Sequence, residues 1–189
     1  MILDLLRHGE TEQGGGLRGS LDDALTAKGW EQMQAAVAGR GPWDVLVSSP
    51  LQRCARFADT LGGQMALPVH LVPGLQELHF GEWEGHSAAD LMLTHEQQLG
   101  LFWADPYSYT PPGGEPVSEF ALRVRAAVAQ LRHEFAGKQV LLVTHGGVMR
   151  LLLAQARGLP REQLLQVEVG HGALCRLQVH ADGTLHEAY

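Results

Sequence analysis

The strongest constraint on the fold comes from three short runs that are largely apolar and end on polar residues. MILDLL (1–6), DVLV (44–47) and QVLLVT (139–144) carry apolar side chains at both odd and even positions. Side chains of a strand alternate between two faces, so a run that is apolar at both must be covered on both. This predicts a mostly parallel internal sheet with helices on each side. Further strands are expected at Pro68–Val72, Ala173–Val179 and Thr184–Ala188, the last two joined by a turn at Asp182-Gly183.

The segments between these runs read as helices. Thr26 is placed to cap one that reaches about Ala38, with Ala27, Trp30, Met33, Ala36 and Val37 at helical spacing. Ser49 and Pro50 are expected to open a second as N-cap and first residue, running to about Leu61 and stopping at Gly62-Gly63. Val117–Phe135 and Val148 to about Ala156 supply two more, and residues 13–23 read as a loop. The aromatic, proline-rich stretch at about 77–116 reads as an insertion roofing one end of the sheet. The expected architecture is one α/β domain over 1–189, a three-layer sandwich around a central, mostly parallel sheet.

Composition narrows the partners. Fourteen Lys and Arg stand against 21 Asp and Glu, a net charge of −7, which argues against a nucleic-acid binder because phosphate-backbone affinity needs clustered cations. Cys54 and Cys175 lie in no metal-ligand spacing and read as buried free thiols. No basic segment leads into an apolar one at the amino end, and no run approaches the ~20 residues of a membrane span. A soluble cytoplasmic protein without membrane partners is expected.

Four segments deliver polar groups at a strand or loop end beside a turn or helix start: Arg7-His8-Gly9-Glu10, Ser48-Ser49-Pro50 with Arg53, Glu77, and His145-Gly146-Gly147. In open α/β sheets, ligands bind beyond the carboxyl ends of the strands. Two arginines, two histidines and two helix starts at that edge make a pocket for a dianion, best a phosphate monoester. A neutral imidazole can attack phosphorus, guanidiniums can hold the equatorial oxygens, and a carboxylic acid can protonate the departing alkoxide. Glu77 is preferred for that last role, with Glu82 and Glu84 close in sequence. No metal and no cofactor is implied.

The blocks LLRHGET, SSPLQR, LQELHFGEWEG and VTHGG, in that order, resemble the signature of the histidine phosphatase (phosphoglycerate mutase-like) superfamily over nearly the whole chain. The resemblance implies that His8 becomes phosphohistidine, that Arg7, Arg53, His145 and Gly146 bind the phosphoryl group, and that Glu77 is proton donor and then base. Members of the family often carry Asn six residues beyond the nucleophile, where this chain has Gly14. FGEWEG (80–85), PPGGE (111–115) and the short chain resemble the alpha-ribazole phosphatase branch, implying removal of the 5′-phosphate from alpha-ribazole phosphate or the phosphorylated cobamide in cobalamin assembly.

His86–Leu122 contains no Lys or Arg, which favours an uncharged leaving group over the anionic substrates of a mutase. Phe80, Trp83, Trp103 and Glu115 are candidate substrate contacts, with Leu101, Phe102, Tyr107 and Tyr109 alongside. Phe102 and Trp103 fit plain packing of the insertion equally well. His79 and His171 are candidates for the rim, Glu10 and Glu115 for orienting arginines, and Asp22 and Asp23 for capping the helix opened by Thr26. The competing readings are a broad sugar or nucleotide phosphatase, a mutase-like enzyme of the same superfamily, and a phosphopeptide-binding module.

Overall fold

The computed structural model describes residues 1–188. Its sheet has six strands: β1 (Ile2–Arg7), β2 (Val45–Ser48), β3 (Val69–Leu71), β4 (Gln139–Thr144), β5 (Leu174–Val179) and β6 (Leu185–Ala188). The order is β3-β2-β4-β1-β5-β6. The pairs among β1 to β4 are parallel, while β5 runs antiparallel to β1 and to β6. The helices are α1 (Ala27–Val37), α2 (Gln52–Met65), α3 (Ala88–Thr94), α4 (Glu96–Ala104), α5 (Val117–Glu134) and α6 (Gly146–Ala156).

The two-faced strands divide their side chains between two cores. Leu3, Leu5, Val45, Val47, Val140 and Leu142 face a core shared with α5, α6 and the 77–116 stretch. Leu6, Leu46, Leu141 and Val143, from the alternate positions, face Met33 of α1 and Cys54, Phe57 and Ala58 of α2. Asp4 lies on that second face, where it accepts from Trp43 Nε1 at 2.7 Å and pairs with Arg176. A carboxylate in mid-strand is therefore satisfied rather than stranded.

Helix boundaries depart from the expectations at both ends of α2 and at the start of α6, which begins at Gly146 rather than Val148. Thr26 caps α1, accepting from Gly29 N at 3.0 Å. The N-cap of α2, however, is Leu51; Ser49 lies ahead of it, accepting from Leu51 N at 3.3 Å. The helix then runs through Gly62-Gly63 to Met65 and stops on Ala66 in a left-handed conformation. Gly62 is not a stop signal: a Cβ there would overlap Val69 Cγ2, so the missing side chain lets β3 pack close against α2.

Candidate active site

The site begins with strand register. β1 and β4 are neighbours with Arg7 opposite Thr144, so the next residue on each, His8 and His145, leaves the sheet at one level. Their rings stand 5.4 Å apart between centroids. Gly9 is required because α1 crosses the loop there: a Cβ on Gly9 would overlap the Gly29 carbonyl, and one on Gly29 the Glu10 carbonyl.

The His8 imidazole is 6 % exposed. Burial, then the Arg53 charge, pushes its pKa down to about 3, so it is neutral at physiological pH. Neutral imidazole has one N–H, and Nδ1 lies 2.8 Å from Gly9 O, an acceptor only. The proton therefore resides on Nδ1 and the lone pair on Nε2. His145 is fully buried, and burial followed by the Arg53 charge lowers it well below the usual histidine value. Its Nε2 lies 2.7 Å from Ser49 Oγ, so the serine beyond β2 fixes this ring. Burial also raises the adjacent Cys54 thiol, which makes it a packing residue rather than a nucleophile.

Arg53, in the first turn of α2, has 0 % exposure. Its terminal nitrogens donate to Leu21 O at 2.5 Å and Gly19 O at 3.0 Å. Asp23 stands 3.7 Å from it and accepts from Arg18 Nε at 2.6 Å. Burial alone would raise the Asp23 carboxyl, but hydrogen bonds from Thr11 and Arg18 and the charges of Arg18 and Arg53 hold it below the usual range. Asp22 and Asp23 were expected to cap α1, and this is corrected. Asp22 accepts from Gln52 N at 2.7 Å at the start of α2, and Asp23 is the counter-ion of the Arg18–Arg53 pair. Arg7 donates to Val169 O at 2.6 Å. Burial lowers its pKa, Glu77 opposes that, and Arg150 and Arg53 add to it. The Nε groups of Arg7 and Arg53 are buried without an acceptor, and an oxyanion is the kind of group that satisfies such donors.

Glu77 is held by backbone. Its carboxylate accepts from Leu78 N at 3.0 Å and Gly147 N at 2.9 Å. The glycines after His145 serve close approach, not a special φ. A Cβ on Gly147 would overlap Glu77 Oε1, and one on Gly146 would lie 3.2 Å from Arg7 Nε and 3.1 Å from Arg150 Nη1. Arg123, which the sequence reading missed, donates to the carbonyls of Gly74, Gln76 and Glu77 at 2.8–3.0 Å. Glu115 holds Arg123 through contacts of 2.6 and 2.9 Å. Of the two expectations for Glu115, substrate contact and orienting an arginine, the structure shows the second: its carboxylate is occupied by Arg123.

Beside Glu77 and Gly147 lies a cavity of ≈ 230 Å³, lined by Leu17, Phe80, Phe102, Trp103, Val117 and Phe120 among others. Phe80 and Trp103, two of the expected substrate contacts, line this cavity. Trp83 does not: it is buried in the core, stacked on Tyr109 and edge-on to Phe102. The cation-free segment 86–122 does not make the cavity cation-free, because α6 contributes Arg150 to it. The spacing of Arg150 four residues after Gly146, on one helix face, was the available signal. The His171 ring lies 5.8 Å from His8, tilted by 42°, whereas His79 is turned to accept from Gly81 N. Glu10 pairs with Lys28 and Thr26. Gly14 is exposed at φ 72° in a turn closed by its N–H on Thr11 O. Among the described residues no group of three or more His, Cys, Asp or Glu could hold a metal ion, and no helix is long and apolar enough to cross a membrane.

The chain is similar to known phosphatases along almost its full length. It is 31 % identical over 184 residues to the adenosylcobalamin/alpha-ribazole phosphatase of Escherichia coli, covering 95 % of this chain and 91 % of that protein. It is 35 % identical over 176 residues to the glucosyl-3-phosphoglycerate phosphatase of Mycobacterium tuberculosis, covering 84 % and 76 %. The crystal structure of the alpha-ribazole phosphatase from Shigella flexneri matches with a TM-score of 0.85 at 30 % identity, covering 100 % of this chain and 95 % of that one. The family model for branch 1 of the histidine phosphatase superfamily matches residues 3–189. With that match and the paired histidines at the ends of β1 and β4, the chain belongs to the histidine phosphatase superfamily.

Proposed function

We propose that this phosphatase works through a phosphohistidine at His8 and removes the 5′-phosphate of alpha-ribazole 5′-phosphate or of the corresponding cobamide. The observation that carries the mechanism is the neutral His8 ring, its Nδ1 tied to Gly9 O, beside two buried guanidiniums with unfilled Nε–H donors. His8 Nε2 attacks phosphorus, the P–N bond forms, and the bond from phosphorus to the alcohol oxygen breaks. Arg7, Arg53 and His145 hold the non-bridging oxygens while negative charge moves to the leaving oxygen. Glu77 gives that oxygen its proton. Water then enters, Glu77 takes a proton from it, the P–N bond breaks and inorganic phosphate departs. The cations that compensate the phosphoryl charge are side chains, so turnover is expected to resist chelators.

The substrate reading is supported by the cavity beside Glu77, whose aromatic and aliphatic walls suit an alcohol carrying a flat ring. It is also supported by the likeness to alpha-ribazole phosphatases. The test is kcat/KM across a phosphomonoester panel. Alpha-ribazole 5′-phosphate should exceed simple sugar phosphates by about 100-fold or more, the scale of discrimination one occupied apolar pocket provides. A flat profile would point to a broad phosphatase, and absence of any His8-dependent turnover to a binding module.

A further inference from the structure

We infer that Arg150 reads the leaving alcohol: it grips an oxygen acceptor carried a few bonds from the scissile ester, and a carboxylate most strongly. This rests on the proposed phosphatase reaction and specifies its leaving-group subsite.

Arg150 lines the same cavity as Glu77, whose proton goes to the leaving oxygen, so a group on that alcohol passes within its reach. Its Nη1 and the Nε of Arg7 flank the bare Cα of Gly146, 3.1 and 3.2 Å from where a Cβ would stand. The two guanidiniums are thus neighbours, Arg7 on the phosphoryl side and Arg150 on the leaving-group side. Arg150 is anchored at one point only, its Nε donating to Val167 O at 3.0 Å. That bond fixes the plane of the fork and leaves both terminal nitrogens without a protein acceptor among the described residues. Arg150 forms no ion pair there, unlike Arg18, Arg123 and Arg176, which all hold carboxylates.

A half-buried guanidinium in a mostly aromatic and aliphatic cavity, repelled by Arg7 and forming no ion pair with Glu77 or another carboxylate among the described residues, is left for the ligand to satisfy. The planar fork suits two oxygens on one carbon or on adjacent carbons, which describes a carboxylate or the hydroxyls of a sugar ring. The residues lining the rest of the cavity are mostly apolar and give the bulk of the alcohol its fit without orienting it. Arg150 supplies the orientation.

The experiment uses three small phosphomonoesters on the same three-carbon frame: n-propyl phosphate, glycerol 1-phosphate and 3-phosphoglycerate. None fills the aromatic wall, so their ratios report on the acceptor alone. In the wild-type enzyme kcat/KM should rise along the series, by about 10-fold or more from the first to the last. Arg150→Met keeps the length and apolar stem and should compress that ratio towards one. Arg150→Lys, with charge but no fork, should fall between. An absent wild-type gradient overturns the inference, as does an Arg150→Met enzyme that keeps it. Equal losses on all three esters also overturn it, since they would make Arg150 a phosphoryl ligand. Failure of the proposed reaction looks different: no ester is turned over, or turnover survives His8→Ala. Thermal midpoints of both variants identify a folding defect, and the lysine variant carries the test if the methionine variant is unstable.

Discussion

Gly147→Ala should impair the proton donation proposed for Glu77 while leaving the fold intact. Gly147 lies in the first turn of α6 without a positive φ, so alanine suits its backbone and should stabilise the helix by about 0.5–1 kcal/mol. The added methyl, however, overlaps Glu77 Oε1 and lies 3.1 Å from Cδ. Ordinary contact requires the carboxylate to retreat by roughly 1 Å, which also strains its 2.9 Å bond from Gly147 N. A displacement of that size at a reacting group costs about 100-fold in rate, within the range for losing a general acid. The assay compares alkyl phosphates with 2,4-dinitrophenyl phosphate, whose leaving group departs without a proton. The variant should lose about 100-fold on the alkyl esters and under ~10-fold on the aryl ester. Equal losses on both, or a lowered thermal midpoint, would refute the reasoning.

Other perturbations probe the supports of the site. Arg123→Lys cannot span three carbonyls and the Glu115 carboxylate, so Glu77 should drift and kcat on alkyl phosphates fall about 10-fold, again with a smaller loss on the dinitrophenyl ester. Asp23→Ala leaves Arg18 and Arg53 buried without their counter-ion, and urea unfolding should show a loss of about 3–5 kcal/mol; a loss below ~1 kcal/mol would contradict the assigned role. His8 has a folded pKa of about 3, and an unfolded histidine titrates near 6.5. As pH falls from about 6.5 towards 3 the unfolded chain therefore binds a proton that the folded chain refuses, and stability drops, by on the order of 4 kcal/mol. His8→Gln should remove that part of the acid sensitivity, measured as the thermal midpoint against pH in phosphate-free buffer.

What could be read in the sequence was whatever one strand or one helix start decides alone. A run apolar on both faces that stops at Arg7-His8 or His145 must bring those residues to the sheet's rim, and β1 and β4 do so in register. Less visible was whatever depends on which elements meet. Asp23 looked like a cap because one of the two cations it serves, Arg53, lies 30 residues along the chain in α2. Glu115 reads as a group that orients an arginine or touches substrate, and which arginine it holds is decided only when α5 brings Arg123 against it. Trp83 shares its block with Phe80, yet the chain turns between them at Gly81, which has φ 58°, and the indole enters the core. Arg150 is not legible from the cation-free roof sequence, because it reaches the cavity from α6. The glycine pair at 146 and 147 read as the lead into a helix from Val148, yet both lie within α6 and make room for Arg7, Arg150 and Glu77.

The central claim is that His8 Nε2 forms a covalent bond to phosphorus, and trapping that bond tests it most directly. Phosphorus-labelled substrate is mixed with enzyme and quenched within milliseconds in alkaline denaturant, which preserves phosphohistidine, and a portion is then acidified. Label that stays with the wild-type protein in alkali, leaves it in acid and is absent from His8→Ala is the predicted result. Label retained by His8→Ala, or full turnover with none trapped at any time point, would contradict the account.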